Sequence, residues 1–441
     1  MTHSSAPAKP TAAQVPNALC TACACACDDI VVSVENNAII AAEHACPRGR
    51  AWFLDTSLGA EPAATVDGRP VELAEAVARA ASILSEARAP LIYGLGETTT
   101  EAQRVAIALA DRLGGTVDTP TSRTQGPVGM ALHGVGEMTS TLGEVRNRGD
   151  LIVFWGCDPA TTHPRHFERY SLDCPGMFVP AGRADRRCVV VDTERTATAE
   201  RADWFIALRP DSDFDALWTL RAVIAGLPLD AATVERQTGV PLADWDRLAA
   251  ALRAAKFGVV LYDGKLASRT GRHLNVEALL ALVRDMNAHT RCVCNALRSG
   301  GNQAGAESAL LWQTGFPFGV NFARGYPRYN PGEFTAEALL ERREVDTVLV
   351  VAGDPLTELG ARAAAQLRRV PLVCIDCRDT PTRRSAQVAI ATAPYGIAVG
   401  GTVYRMDDVP LPLRPALGSP LPNDEDVLRV ILGAIGPSGS R

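Results

Sequence analysis

The chain has 441 residues, enough for several domains around a large core, and 47% of them are hydrophobic. Its 44 basic and 50 acidic residues give a net charge of −6, so charge gives no reason to expect nucleic acid or an anionic membrane as partner. No apolar run approaches the roughly 20 residues that span a bilayer. Because the N-terminal segment has no export signal, we expect the twelve cysteines in a reducing compartment and the protein in the cytoplasm.

Four cysteines near the N-terminus are spaced like the ligands of a metal site. Cys20, Cys23 and Cys27 follow a C-x2-C-x3-C pattern, and Cys46 follows after an apolar stretch; Cys25 is an additional thiol. Four thiolates hold iron–sulfur clusters, and a structural zinc ion uses the same donors, usually as two C-x2-C pairs. The single pair favours a cluster over zinc, and thiols without any metal are the third alternative.

The stretch between Cys27 and Cys46 alternates between apolar and polar residues, as a β-hairpin does, with Asn36 and Asn37 at the turn. We expect residues 18–60 to form a small cysteine-rich hairpin domain. The preceding segment, 1–17, is rich in Pro, Ala and Ser and is expected to be disordered.

After this domain, strands and helices alternate along the chain. Near-continuous apolar runs predict strands buried on both faces, as in parallel sheets, at 90–94, 150–156, 188–192, 257–264, 346–354 and 371–376. The pattern predicts an α/β fold of two doubly wound, mostly parallel-sheet lobes. We expect 61–145 and 255–345 to form the first lobe and its active-site loops. The second should comprise 146–254 and 346–415, before a C-terminal tail, 416–441.

Four loops at predicted strand ends contain residues suited to hold a nucleotide. In open α/β sheets, ligands bind beyond the carboxyl ends of strands, where glycine lets a backbone come close and an acidic residue can hold ribose hydroxyls. The candidate cofactor-binding residues of these loops are Gly156, Asp158, His163, Arg165, Asp192, Gly353, Asp354 and Arg378. Together they indicate a long ligand, with nucleotide ends, between the two lobes.

Residues 296–334 are rich in glycine, aromatic residues and arginine, and they look too irregular for a helix or a strand. Long structured loops in compact domains are usually functional. Arg298, Arg324 and Arg328 have planar guanidinium groups that suit a carboxylate or a phosphate. A packed aromatic loop with surface arginines is the alternative.

With these residues assembled, the chain resembles the B subunits of formylmethanofuran dehydrogenases, which are bis-molybdopterin-guanine-dinucleotide enzymes of molybdenum or tungsten. The likeness spans about 18–415 and rests on CTACACACDDIVV…ACPRGRAWF, WGCDPATTHPRH, WQTGFPFGVNFARGYPRYNPGEF and GTVYRMDDVPLPLRP. The resemblance implies a molybdopterin oxidoreductase fold, a [4Fe–4S] cluster on the four cysteines, and strand-end loops around two guanine dinucleotides. It also implies reversible reduction of carbon dioxide to formate.

One departure from the family concerns the ligand of the metal. The family places a cysteine or selenocysteine followed by histidine in a Ser-Val-Cys-His-Gly-Pro context, and the matching TSRTQGP stretch has Thr124 and Gln125 at those two positions. A threonine hydroxyl cannot replace a soft thiolate, and the neighbouring imidazole that could handle protons is missing. Arg298 matches the active-site arginine of the family.

Three functions follow from this comparison. The first is a redox-silent scaffold in the related bacterial formyltransferase/hydrolase complex, together with an amidohydrolase-type A subunit, a formyltransferase D subunit and a C subunit. The second is an active molybdenum or tungsten formylmethanofuran dehydrogenase subunit in which another group ligates the metal. The third is an iron–sulfur electron-transfer or pterin-binding protein whose partner is unrelated to one-carbon units.

Overall fold

The N-terminal cysteine-rich segment forms a three-stranded antiparallel sheet from β1 (Ala13–Ala18), β2 (Ile30–Glu35) and β3 (Ala38–Glu43). The computed structural model describes residues 13–55, 58, 62–330 and 332–436. The predicted hairpin turn is present, since Asn36 and Asn37 have φ values of 51° and 56°, the left-handed conformation of a two-residue hairpin loop.

Part of the segment expected to be disordered is ordered. Residues 1–12 lie outside the described residues, but 13–17 belong to β1, which pairs with β2 from Ala13 opposite Val34 to Ala18 opposite Ile30. The composition of the segment is polar, yet the exposed edge of the hairpin offers backbone hydrogen bonds that a short strand can satisfy.

The remaining strands belong to two large sheets and one small hairpin. They are β4 (Ala64–Val66), β5 (Arg69–Pro70), β6 (Pro90–Gly94), β7 (Thr116–Asp118), β8 (Leu151–Trp155), β9 (Arg187–Asp192), β10 (Trp204–Ala207), β11 (Phe257–Asp263), β12 (Arg291–Leu297), β13 (Val320–Asn321), β14 (Arg328–Tyr329), β15 (Thr347–Val351), β16 (Leu372–Ile375), β17 (Val388–Ile390), β18 (Gly401–Tyr404) and β19 (Pro410–Leu413).

Helices cover both large sheets. They are α1 (Pro47–Phe53), α2 (Leu73–Glu86), α3 (Thr100–Leu113), α4 (Ser122–Val135), α5 (Leu142–Arg148), α6 (Pro159–Thr162), α7 (His166–Arg169), α8 (Asp213–Ile224), α9 (Ala231–Thr238), α10 (Leu242–Ala254), α11 (Gly264–Ser268), α12 (His273–Met286), α13 (Gln303–Thr314), α14 (Ala336–Arg342), α15 (Pro355–Glu358), α16 (Ala361–Leu367), α17 (Pro381–Ser385) and α18 (Asp424–Ala434). No helix of the described residues is long and apolar enough to cross a membrane.

Each of the two large sheets has a core of five parallel strands. One sheet has five strands in the order β10-β9-β8-β11-β12, all parallel. The other has nine, and its parallel centre runs β17-β16-β15-β6-β7, flanked by short antiparallel strands. The central strands β8 and β15 are buried at every residue, as their continuous apolar sequences predict.

The strand pairing differs from the expected grouping of the lobes. Strands from 257–263 and 291–297 join the sheet of β8, whereas those from 347–390 join the sheet of β6. The chain therefore builds the first half of the nine-stranded sheet, then the whole five-stranded sheet, and returns to complete the first. Apolar runs predict that a strand is buried but not which neighbour it pairs with, so the sequence could not reveal this order.

The segment 296–334, expected to be irregular, contains the helix α13. Asn302 fixes its start: its amide donates to the Thr98 oxygen (2.9 Å) and the Thr100 hydroxyl (3.1 Å) and accepts from the Tyr404 amide (2.8 Å). The glycines before the helix obscured its pattern. The C-terminal tail contains a short helix, α18, whose Val427, Leu428 and Ile431 pack into the core of the nine-stranded sheet.

Candidate functional site

The structure brings the cysteines together in the loop between β1 and β2 and at the start of α1. The Cys20 amide donates to the Cys27 oxygen (2.9 Å), which closes the loop, and Cys46 caps α1 by accepting from the Gly49 amide (3.4 Å). A Cβ atom on Gly49 would lie 2.9 Å from the Cys20 sulfur and 3.8 Å from the Cys46 sulfur. Only glycine leaves room for both thiols here.

Burial and mutual contact set the acidity of these thiols. Burial raises the pKa of Cys20 and that of Cys27, the latter to about 12, whereas a hydrogen bond from Cys25 lowers the pKa of Cys23 to about 7. Metal ligation by cysteine requires the thiolate, so binding iron here would release protons from at least the two more basic thiols.

The positions of the possible metal-binding side chains bear on which metal group the four cysteines could hold. In the described part of the chain, no three His, Cys, Asp or Glu side chains are close enough to hold one metal ion. A tetrahedral zinc ion needs four sulfurs around one point, at Zn–S distances of about 2.3 Å. In a [4Fe–4S] cluster each cysteine binds a different iron, so the sulfurs need not converge on one point.

Ion pairs join the cysteine loop to the loop after β8. Arg165 pairs with both carboxylate oxygens of Asp29 (2.7 and 2.8 Å), and Arg169 pairs with Asp28 and Asp29 (2.5 Å each). The sequence assigned Arg165 to a cofactor, but its donors are engaged by Asp29 and by Glu168, so the structure gives it a different partner. A bidentate arginine–carboxylate pair of this kind fixes orientation as well as position.

A cavity of about 310 Å³ lies where the carboxyl ends of β7, β8, β11 and β12 meet the cysteine loop. It unites residues that are far apart in sequence. Its walls are Cys23, Arg48, Thr124, Thr162, His163, Asp263, Gly264, Lys265, Ser268, Leu297, Arg298, Ser299 and Gly300. The structure thus brings Thr124, Arg298, His163 and a cysteine of the motif to one place.

Thr124 lies in the first turn of α4 and faces the cavity. Its hydroxyl donates to the Thr121 oxygen (3.3 Å), and its Cβ is 3.0 Å from where a Cβ on Gly264 would be. Gln125 is buried behind it on the same turn. The turn is anchored by Asp118, at the end of β7, which accepts from the Ser122 hydroxyl (2.9 Å).

Arg298 is held in place from two sides at the cavity wall. Its guanidinium donates to Glu307 (2.8 Å) and lies 3.5 Å from Asp408, while its Nε atom has no protein partner among the described residues. His163 Nε2 donates to the Arg298 backbone oxygen (2.9 Å), and its Nδ1 contacts the Thr162 hydroxyl (2.9 Å). Burial lowers the pKa of His163 to about 4, so its imidazole is neutral at pH 7.

The loops after β8 and β15 are built alike. Asp158 accepts from the amide (2.9 Å) and hydroxyl (2.6 Å) of Thr198, and Asp354 accepts from the amide (3.1 Å) and hydroxyl of Thr382. Two residues before each aspartate the backbone is left-handed, with φ of 61° at Gly156 and 48° at Ala352. Both carboxylates therefore shape their loops. Gly353 packs against Gly94, whose Cα lies 3.1 Å from the Cβ position of Gly353.

The acids that end β9 and follow β16 have arginine partners within the chain. Asp192 is 2.7 Å from the Arg269 guanidinium, and Asp376 is 3.2 Å from that of Arg378. A nucleotide at the ends of β8 and β9 would need the space above Gly156, which the Arg269 side chain fills. The residue types expected for a nucleotide site are present at these strand ends, with Arg269 against the Gly156 backbone.

Two predicted arginines lie elsewhere. Arg324 is exposed, and Arg328 donates to the Asn321 side chain (2.6 Å) and lies over the Phe334 ring, 4.9 Å from its centre. Neither lines the 310 Å³ cavity. Sequence reasoning missed Lys265, a cavity residue that follows β11; the strand-end DGK segment was a usable signal for it.

Curated relatives match the chain over almost its whole length. The B subunit of tungsten-containing formylmethanofuran dehydrogenase 2 from Methanocaldococcus jannaschii is 38% identical, over 95% of this chain and 98% of that protein. The corresponding protein of Methanococcus maripaludis is 34% identical over 94% and 97% of the two chains. The B subunit of the formyltransferase/hydrolase complex Fhc from Methylorubrum extorquens is 26% identical over 78% and 88%. No protein-family model matches the chain.

Solved structures share the fold. The formyltransferase/hydrolase complex FhcABCD of Methylorubrum extorquens, solved with methylofuran, contains a chain of TM-score 0.70 and 25% identity, covering 85% of this chain and 98% of that one. Acetylene hydratase from Pelobacter acetylenicus also has a TM-score of 0.70, at 11% identity, over 96% and 69%. The predicted molybdopterin oxidoreductase fold is confirmed, and the chain belongs to the family of formylmethanofuran dehydrogenase B subunits.

Proposed function

We propose that this chain is a B subunit that supports formyl-group chemistry in one-carbon metabolism without a molybdenum or tungsten centre of its own. The observation that carries the proposal is Thr124, which faces the cavity at the position where the family has its metal-binding thiolate. An alcohol has a far higher pKa than a thiol and is a hard ligand, so it does not suit molybdenum or tungsten in a sulfur-rich site.

The rest of the cavity supports the same proposal. Gln125 cannot accept and return a proton at neutral pH as histidine does, and His163 is committed to two hydrogen bonds in its neutral form. Arg48, Lys265 and Arg298 give the cavity a positive character. These residues can bind and orient an anion, but they offer no group for electron transfer.

The partners follow from the relatives. A member of this family is expected to act within a complex, here with an amidohydrolase-type A subunit, a formyltransferase D subunit and a C subunit, in which formyl transfer and hydrolysis occur on the partners. The twelve cysteines, all free thiols in the structure, agree with assembly in a reducing compartment such as the cytoplasm.

Cys20, Cys23, Cys27 and Cys46 would hold a [4Fe–4S] cluster in this protein. Such a cluster stores or passes one electron at a time when it is bound. In this proposal the cluster has a structural role, because it would link the β1–β2 loop to α1. Asp29 and Arg165 would transmit that order to the loop after β8.

A second candidate is an active molybdenum or tungsten formylmethanofuran dehydrogenase subunit. Two observations favour it: Arg298 and Cys23 of the cysteine motif line one cavity, and identity is higher to the tungsten-containing relatives (38% and 34%) than to the Fhc relative (26%). This candidate requires a metal ligand other than the side chain at 124.

The deciding experiment is metal analysis of the anaerobically purified complex for iron, zinc, molybdenum and tungsten. About four iron atoms per chain without molybdenum or tungsten would support the scaffold. Stoichiometric molybdenum or tungsten would refute it in favour of the second candidate. Thr124→Cys, with Ser268→Cys as a control in the same cavity, adds a second test. Metal binding gained by the first variant alone would identify the residue at 124 as the determinant.

A further inference from the structure

The side chain of Arg269 occupies the place where the strand-end loops of the five-stranded sheet would receive a nucleotide. A Cβ atom on Gly156 would lie 3.2 Å from Nη1 of Arg269 and 3.5 Å from its Cζ. Gly156, with φ of 61°, is the residue that would let a ligand approach the backbone after β8. The guanidinium therefore covers this backbone.

Two buried carboxylates hold the guanidinium there. Nη2 donates to Asp192 (2.7 Å), and Nη1 donates to both oxygens of Asp213 (3.0 and 3.1 Å), which also accepts from the Trp155 indole (3.0 Å). Asp213 is fully buried and Asp192 is 6% exposed. Asp192, the acid predicted to hold a ribose, thus has Arg269 of the same chain as its partner.

The donor pattern of Arg269 resembles that of a guanine base. A guanidinium presents N–H groups in a planar fork that pairs with carboxylates, and the N1–H and N2–H₂ edge of guanine presents an equivalent planar set of donors. Carboxylates that hold one group have the chemistry to hold the other. Both cannot occupy the space above Gly156 at once.

We propose that Arg269 closes the guanine-nucleotide site of the five-stranded sheet from within, so that a guanine nucleotide binds there only when this side chain is displaced. The inference deepens the proposed function and rests on it; the guanine nucleotide is the ligand that the resemblance to the family implies for these loops. A protein without its own molybdenum or tungsten has no need of a dinucleotide, and an internal arginine pairs with the acids that would otherwise accept hydrogen bonds from such a ligand.

The segment that carries Arg269 also borders the 310 Å³ cavity. Lys265 and Ser268, on α11, line the cavity, and the segment ends at Arg272, whose φ of 46° and ψ of −119° are unfavourable for a residue with a side chain. Asn275 holds the segment by donating to the Leu266 oxygen (3.1 Å). Displacing Arg269 would therefore move a wall of the cavity.

The test is binding of GDP by the full-length chain, measured by isothermal titration calorimetry, with ADP as the mismatched nucleotide. Arg269→Ala is expected to bind GDP about tenfold or more tightly than the wild type. This factor follows if the form with Arg269 displaced, which alone binds GDP, makes up less than about one tenth of the wild-type molecules and all of the variant. ADP binding should not change. Arg195→Ala is the control, since Arg195 follows β9, the strand that ends at Asp192, but pairs with exposed Glu200.

If Arg269→Ala does not fold, Arg269→Lys decides, because an ammonium group keeps the charge but cannot pair with both carboxylates. Adding Asp192→Asn to the Arg269 variant should abolish the gain in GDP affinity. Equal GDP affinity of the folded Arg269 variant and the Arg195→Ala control would overturn the inference, and so would tight GDP binding by the wild type. Metal analysis of the complex decides the proposed function separately, so the two can fail independently.

Discussion

Replacing Asp118 with alanine is expected to loosen the nine-stranded sheet at the point where it meets the cavity. The carboxylate is fully buried and accepts from the Ser122 hydroxyl (2.9 Å) and from the backbone amides of Gly319 (3.0 Å) and Ala336 (2.6 Å). It thus joins three segments: α4, the loop before β13 and the start of α14. Alanine would leave both amides without an acceptor where water cannot easily reach.

The magnitude follows from burial rather than from the number of bonds. A buried donor left unsatisfied costs about 1–3 kcal/mol, so the two amides alone predict a loss of about 3 kcal/mol. Asp346→Ala is the matched control, because its carboxylate accepts from the Arg88 (2.8 Å) and Ala89 (3.0 Å) amides at the surface. Water can replace that carboxylate, and the expected cost is about 1 kcal/mol or less.

Hydrogen exchange followed by mass spectrometry measures the effect locally, which avoids assuming that a chain with two lobes unfolds in one step. Burial raises the pKa of Asp118 to about 7, so the comparison is made at pH 8, where the carboxylate is charged. Peptides with Gly319 and Ala336 should exchange roughly a hundredfold faster in the Asp118 variant. Similar protection in both variants would refute the argument that burial sets the cost.

Two further predictions concern the cysteine loop and the cavity. Gly49→Ala places a methyl group 2.9 Å from the Cys20 sulfur and should lower the amount of iron bound after anaerobic reconstitution. Arg50→Ala, on the exposed side of α1, is the control and should bind as much iron as the wild type. Equal iron in the two variants would contradict the argument that the methyl group crowds the cysteines. His163, whose pKa burial lowers from 6.5 to about 4, cannot take up a proton that the unfolded chain binds, so stability is lost as the pH falls below about 6.5. His163 should account for about 2 kcal/mol of the loss between pH 7.5 and pH 5, measured by urea denaturation, and His166, whose pKa burial lowers to about 3, should add a similar amount. His163→Gln should remove only the first part, and an unchanged loss would refute the role of His163.

The local structure of the chain was largely predictable because each element has its own signal. The strand at 90–94 was predicted to the residue. The helix after it has a local signal at each end, with Thr99 as N-cap and Gly114, with φ of 65°, as C-cap. These signals depend on neighbours in sequence. The grouping of strands into sheets depends on contacts between distant segments, and no local pattern encodes it.

In the candidate site, too, the sequence identified some residues but not the partners of others. The cysteine motif, Thr124 and Arg298 were found from sequence because their spacing or context is distinctive, and the structure places them around one cavity. Arg165 and Asp192 were assigned to a ligand because their types suit one. An acid at a strand end looks the same in sequence whether a nucleotide or an arginine of the same chain will pair with it.

The order in which strands enter the nine-stranded sheet has a consequence during synthesis. Strand β6 lies between β7 and β15 in the sheet, yet β15 follows it by roughly 250 residues. At about 5–20 residues per second, the apolar edge of β6 waits on the order of 10–50 s for its second partner to leave the ribosome. The five-stranded sheet, continuous in sequence, can close during that interval. The nascent chain thus exposes one half-built sheet beside one finished sheet, and that edge is where a chaperone would have to act.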